Sequence, residues 1–239
     1  NPMKFVKKAL TFIAVILIFK AVFYFFYKVN RYDNKNLLTE SSSVQTSHTE
    51  RTTSSALPAP GYHRYVIGYD ISVELPEKWS LLSHTEISEI KNKSATIAGS
   101  PSSTTLAANA NKDAKFNDGI FRASITDANF TSDDLKSASP AELDSVCKEI
   151  SNNMKVSLPK IGARLANEAK CSISKISGKD AFLINYQRIN ADSNTVWDVS
   201  IYQVPINGKS FIFTASRSTD ARKETIEEQE HILNSIKWD

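Results

Sequence analysis

One stretch near the N-terminus constrains this chain more than any other. Residues 9–27 form a run of nineteen residues charged only at Lys20, and the aromatics of Phe23-Tyr-Phe-Phe-Tyr27 close it. As a helix, such a run is about 28 Å long, close to the hydrocarbon thickness of a bilayer. Lys4, Lys7 and Lys8 precede it, and Lys28, Arg31 and Lys35 come after it. A lysine near mid-span costs about 2.5–3.5 kcal/mol on insertion scales. The surrounding Ile, Leu, Val and Phe outweigh that cost, and the lysine stem can snorkel. Residues 1–32 are therefore predicted to be a single-pass membrane anchor, with residues 9–27 in contact with lipid. The competing reading is a cleaved secretory signal, which shares the basic start. Against it stand the length of the apolar run and the aromatic exit, where a small-residue cleavage site would be needed. Asn1-Pro2 ahead of Met3 reads as a remnant of expression, with Met3 as the native start.

The positive charges flanking the run nearly balance, so they do not orient it. The Ser/Thr-rich stretch behind it and the two cysteines of the domain favour an extracytoplasmic C-terminal part. Residues 33–61 are a linker ending in Pro58-Ala-Pro60-Gly61, too poor in apolar surface to offset chain entropy. The remaining residues, 62–239, are long enough for one well-buried domain. Charge divides at this boundary. Residues 1–58 carry 8 Lys/Arg against 3 Asp/Glu, and residues 59–239 carry 21 against 23. The basic balance belongs to the leader and the domain is near neutral, which argues against nucleic acid as a partner.

Within the domain, Ile71, Val73 and Leu75 alternate with polar residues and predict a strand at 69–76, stopped by Pro76. A short helix is expected at 85–92 and a strand at 95–98. Residues 100–118, rich in Ser, Thr, Ala and Asn, are expected to form a mobile loop. Phe121, Ala123 and Ile125 mark a strand at 119–127. Ser139-Pro140-Ala-Glu142 is a capping box with proline at the first helical position. Leu143, Val146, Cys147, Ile150 and Met154 then recur at helical spacing. Four strands come next, at 166–176, 180–189, 196–205 and 209–217, with Asn207-Gly208 as a tight-hairpin signal. A terminal helix is expected at 220–236. The order gives an α+β fold: an antiparallel sheet with helices packed on it, preceded by the single transmembrane helix.

The segment Ile71-Ser-Val-Glu-Leu-Pro76-Glu-Lys-Trp79, the strand pair around Gly178-Lys-Asp-Ala-Phe182, Gly208-Lys-Ser-Phe-Ile-Phe213 and the closing Ile232-Leu-Asn-Ser-Ile236 resemble the PsbP-like/DcrB-like superfamily over about residues 66–238. That superfamily includes thylakoid-lumen photosystem subunits, bacterial periplasmic lipoproteins, Ran-binding import factors and chaperones for secretion effectors. The resemblance implies a sheet scaffold that binds proteins, with no common catalytic centre. This chain lacks a lipobox cysteine near its start and carries a helical anchor instead.

Cys147 and Cys171 are the only cysteines. Cys147 sits on the apolar helix face and Cys171 alternates with Ile173 in the next strand. A disulfide is favoured in an oxidising compartment, with two buried thiols as the alternative. His84-Thr-Glu86-Ile-Ser-Glu89 lacks the zincin pattern and reads as a solvated helix start. His231, within Glu227-Glu-Gln-Glu-His231, is expected on the exposed side of the last helix. Asp133-Asp134 and Glu227-Glu228 read as surface charge. No nucleophile-elbow serine and no phosphate-binding glycine loop is present. Among the aromatics, Tyr202 is out of phase with Trp197 and Ile201 and is the favoured partner contact. Trp197 and, in the anchor, Lys20 are further candidates. The expected function is a non-catalytic, membrane-anchored periplasmic module of a bacterial envelope that binds another protein without a cofactor. An envelope or secretion accessory and an immunity protein are the two forms considered. The alternatives are a hydrolase using His63 or His84 with a carboxylate, and a structural subunit of a membrane complex.

Overall fold

A computed structural model describes residues 57–89, 91 and 103–238 of the chain. The anchor with Lys20, most of the linker and the strand expected at 95–98 lie outside the described residues. Among the described residues no helix is long and apolar enough to cross a membrane.

The described residues contain eleven strands in two antiparallel sheets. In the small sheet, β1 (Tyr62–Gly68) and β2 (Ile71–Pro76) make a hairpin, and β11 (Lys237–Trp238) adds to β2. The large sheet runs β3 (Ser80–Leu81), β4 (Thr104–Asn109), β5 (Gly119–Asp127), β10 (Lys209–Ser218), β9 (Val196–Ile206), β8 (Lys179–Asn190), β6 (Ala163–Leu165). β7 (Lys170–Ile176) also pairs with β8. The helices are α1 (Ser132–Ser137), α2 (Pro140–Ser157) and α3 (Lys223–Asn234). Residues 84–89 are helical as well.

Alternation along each strand gives the large sheet two distinct faces. Phe182, Ile184 and Tyr186 of β8 and Val199 and Ile201 of β9 point to one side. There they meet the α2 stripe of Val146, Ile150 and Met154 in one core cluster. Phe211 and Phe213 of β10, Phe121 and Ala123 of β5 and Val204 of β9 point to the other. There they meet Val73 and Leu75 of β2, Trp79, and Ile232 of α3 in a second cluster. Among the described residues, α2 covers the β8–β9 half of one face, and on the same face Leu82 and, from the 84–89 helix, Ile87 close over Ala107 of β4; the small sheet with α3 covers one half of the other face.

Local chemistry explains the boundaries. Ser139 and Glu142 cap α2 reciprocally, with Glu142 accepting from the Ser139 N–H at 2.9 Å. Thr131 and Asp134 do the same for α1. Asp134, expected as surface charge, is therefore a helix cap, and the short α1 is an addition to the expected elements. Asn207 (φ 49°) and Gly208 (φ 76°) make the left-handed turn that joins β9 to β10. The disulfide joins α2 to β7, with Cys147 and Cys171 bonded across Cα atoms 5.6 Å apart.

Three expectations are corrected. The segment 100–118 is not simply a loop: Thr104–Asn109 is β4, held between β3 and β5, with Ala107 and Ala108 fully buried. Small side chains, which resemble loop composition, let other elements close over both faces of this strand: Ala107 lies in a cluster with Leu82 and Ile87, and Ala108 in one with Val73 and Trp79. β1 and β11 are also strands that sequence pattern alone does not show, the first because its polar residues, His63 and Arg64, mask the alternation. His231 is not on an open face. Its side chain is only 34% exposed and sits against Glu74 of β2.

Candidate functional site

Two polar constellations stand out on this framework. The first fastens α3 to the small sheet. Glu74 is buried at 6% exposure. One carboxylate oxygen accepts from Arg64, and the other lies 2.8 Å from His231 Nε2. The backbone N–H of Glu74 donates to Ser235 Oγ at 2.8 Å, and Arg64 Nη1 donates to the Ser235 carbonyl at 3.1 Å. Tyr62 packs against His231 with ring centroids 3.9 Å apart and the planes tilted by 34°. Burial works to raise the Glu74 pKa, but hydrogen bonds from His231 and Arg64 outweigh it and hold the carboxyl below its ordinary value. One turn away, Trp79 Nε1 donates to Glu228 Oε2 at 2.8 Å, and Lys78 Nζ reaches the other Glu228 oxygen at 2.8 Å. The Pro-Glu-Lys-Trp stretch thus serves as a clamp on α3, and Glu228 is its anchor point.

The second constellation is a groove on the large sheet, on the same face as the small sheet and α3 but beyond their cover. It has a volume of about 740 Å³, within the range of ligand pockets. Its floor comes from the polar phase of the strands: Asn185 and Gln187 of β8, Asp198 and Ser200 of β9, Arg217 of β10. Asn167, Glu168 and Lys170, leading into β7, form one wall. At the other end a smaller cavity of about 200 Å³ shares Asp198, Ser200 and Arg217 and extends to Tyr202, Gln229, Glu230 and Leu233. The two together make one trough running from α3 to the β6–β7 connection.

Hydrogen bonds order the floor. Asn167 Nδ2 donates to Gln187 Oε1 at 2.7 Å, and Gln187 Nε2 donates to Asp198 Oδ1 at 2.8 Å. Ser200 Oγ donates to Asn185 Oδ1 at 2.7 Å. Glu168 is occupied by Lys155 at 2.9 Å. Arg217 is paired in register with Asp198, yet its guanidinium makes no hydrogen bond or ion pair among the described residues. Burial pushes the Tyr202 hydroxyl pKa up, against an opposing pull from the Arg217 guanidinium. A preordered amide–carboxylate–hydroxyl floor, an available guanidinium and a half-buried phenol suit a partner that presents both donors and acceptors.

The candidates from sequence fall at separate places. Tyr202 lies at the α3 end of the trough. Trp197 lies on the opposite face of the same strand, 6% exposed, with the Arg188 guanidinium 5.3 Å above its ring. The structure therefore does not bring the two together. His63 faces Glu77 at 3.5 Å with both side chains more than half exposed, and His84 is exposed. Neither lines the trough. Among the described residues no group of three or more His, Cys, Asp or Glu is placed to hold a metal. Asn185, Gln187, Asp198, Ser200 and Arg217 are site residues that sequence reasoning missed. Their period-2 spacing marks them as one face, but only the fold shows that α3 and the 166–169 turn raise walls around it.

No family model matches the sequence, and no curated protein matches it. Solved structures do. The chain is similar in fold to cyanobacterial PsbP (CyanoP) from Synechocystis sp. PCC 6803, at 13% identity and a TM-score of 0.43, over 79% of this chain and 99% of that one. It is similar to the Ran-binding protein Mog1p of Saccharomyces cerevisiae at 9% identity and a TM-score of 0.37, over 74% of this chain and 95% of that one. A protein from Bacteroides thetaiotaomicron matches at 10% identity and a TM-score of 0.40, over 71% of this chain. The chain spans 45% of the length of that protein. These likenesses lie at 13% identity or less and at TM-scores of 0.43 or less.

Proposed function

We propose that this chain is a membrane-tethered, extracytoplasmic protein-binding module of a bacterial envelope, and that the trough over Asn185, Asp198, Ser200 and Arg217 receives an extended segment of its partner. The observation that carries the reading is the trough itself. It is concave, its floor groups are already ordered by hydrogen bonds, and Arg217, unpaired among the described residues, stands next to Tyr202. An extended polypeptide offers alternating N–H and C=O groups that match amides, a carboxylate and a hydroxyl, with a side chain to lie on Tyr202. The tether rests on residues 9–27 and the Ser/Thr-rich linker, which give the domain reach above the bilayer. The bonded pair Cys147–Cys171 supports an oxidising compartment. An accessory role in envelope assembly or secretion, or immunity against an incoming toxin, fits a recognition head of this kind.

The test is photo-crosslinking in intact cells with a benzophenone side chain at Tyr202, and in parallel at Val156, which is 66% exposed on α2, outside the trough. The reading expects a discrete protein adduct from position 202, lost on Arg217→Ala, and none from position 156. Equal adducts from both positions, or none from 202, would remove the trough as the partner site.

A further inference from the structure

The sheet face opposite the trough holds a second anomaly, over β4, β5 and β10. Along β5 and β10, Phe121, Ala123, Phe213 and Ala215 alternate with Arg122, Ser124, Thr214 and Ser216. Such alternation ordinarily turns its polar phase to water. Here the polar phase is buried: Arg122 is 3% exposed, Ser124 1%, Thr214 6% and Ser216 1%. Arg122 spends its donors on neutral acceptors. Nη1 donates to the carbonyls of Ala108 at 2.8 Å and Phe121 at 2.7 Å, and Nη2 donates to Asn109 Oδ1 at 3.0 Å. Among the described residues no carboxylate forms an ion pair with it. Glu86 acts on it only across space, and a Glu86 oxygen already accepts from the Ser83 N–H.

The residues that carry the atoms left over are neighbours in the sheet. Arg122 and Thr214 are directly paired across β5 and β10, and Ser216 is the next residue of β10 on the same face. Arg122 Nε, Thr214 Oγ1 and Ser216 Oγ are all buried and, among the described residues, all without a hydrogen-bond partner. Each such group gives up its water without a bond in return, and a buried cation without a counter-charge loses more than a neutral group does. Burial pushes the Arg122 pKa down to about 9, in line with an uncompensated guanidinium. What the three residues share is the capacity to donate: one charged N–H and two hydroxyls at neighbouring positions.

We propose that Arg122, Thr214 and Ser216 form a seat for an oxyanion, the carboxylate or phosphate group of a ligand. The anion takes the charge-assisted bond from Nε and one bond from each hydroxyl, and neutralises the buried cation. This seat is independent of the trough, which lies on the other face.

The test is thermal unfolding of the full-length chain in lipid nanodiscs at constant pH and ionic strength, with chloride exchanged for inorganic phosphate and, separately, for acetate. The seat predicts a saturable rise in the midpoint with at least one anion. A response to phosphate alone assigns a phosphate group, and a response to acetate assigns a carboxylate. Arg122→Gln should raise the half-saturating concentration at least tenfold. Thr214→Val, which keeps the volume, should raise the anion-free midpoint and weaken the anion response, so it decides the matter if Arg122→Gln does not fold. A flat midpoint with both anions, or variants that track the parent chain throughout, would overturn the seat.

Discussion

Reducing the Cys147–Cys171 bond should lower the stability of the domain by an amount that the chain length between the two residues sets. They are 24 positions apart. In the loop-closure description, a cross-link over about 25 residues removes roughly 12 cal/mol/K of unfolded-chain entropy, or about 3.5 kcal/mol at room temperature. For a domain of this size each kcal/mol moves the thermal midpoint by about 2–4 °C, so reduction should lower it by about 7–14 °C. The bond ties α2 to β7, an edge strand paired only with β8 among the described residues. The assay is a calorimetric scan of the same protein with and without a phosphine reductant. Comparing one sequence in two redox states avoids the packing change of a Cys→Ala variant. Mass measurement after alkylation fixes the thiol count in each state. A midpoint that does not move while two thiols become alkylatable would refute the entropic argument. Two alkylatable thiols in the untreated protein would refute the bond.

The seating of α3 against the sheets gives two further outcomes. The Glu74 carboxyl is held below its ordinary pKa, so its stabilising share is complete above the unfolded-chain value and is lost as pH falls through the folded value. Acid titration of unfolding should therefore show a loss beginning below about pH 4.5. Glu74→Gln should flatten it and, by leaving Arg64 without its carboxylate, cost about 3 kcal/mol at neutral pH; an unchanged acid limb in the variant would contradict the assignment. Gly119 lies under α3, where an added Cβ would come within 2.4 Å of Thr225 Cγ2. Gly119→Ala should cost about 1–3 kcal/mol by overpacking, and Gly119→Ala with Thr225→Ser should recover part of it in denaturant titrations.

The parts of the fold that are legible in the sequence are those with a local cause. The capping box at Ser139, the α2 stripe, the Asn207-Gly208 turn and the alternation in β8, β9 and β10 each state their structure within a few residues. The parts that are not legible depend on partners far along the chain. β4 looks like loop composition because its alanines matter only where residues from other elements pack over the two faces of the sheet. His231 looks solvated within α3 because Glu74, which holds it, is 157 residues away. The same divide runs through the candidate site. Tyr202 can be singled out by its phase in β9, but the trough needs α3 at one end and the Asn167–Glu168 turn at the other to become concave. Arg122 cannot be singled out at all, since an arginine in the polar phase of a strand normally faces water.

In the proposed topology a lipid-held N-terminal helix keeps a recognition head on the far side of the cytoplasmic membrane. Protease treatment of intact spheroplasts, then blotting for the two ends of the chain in carbonate-washed membranes, tests this most directly. The account predicts a full-length chain in the membrane fraction whose C-terminal domain is degraded from outside while a short N-terminal fragment survives. A soluble chain lacking its first thirty or so residues, or a domain protected until the membrane is lysed, would contradict it.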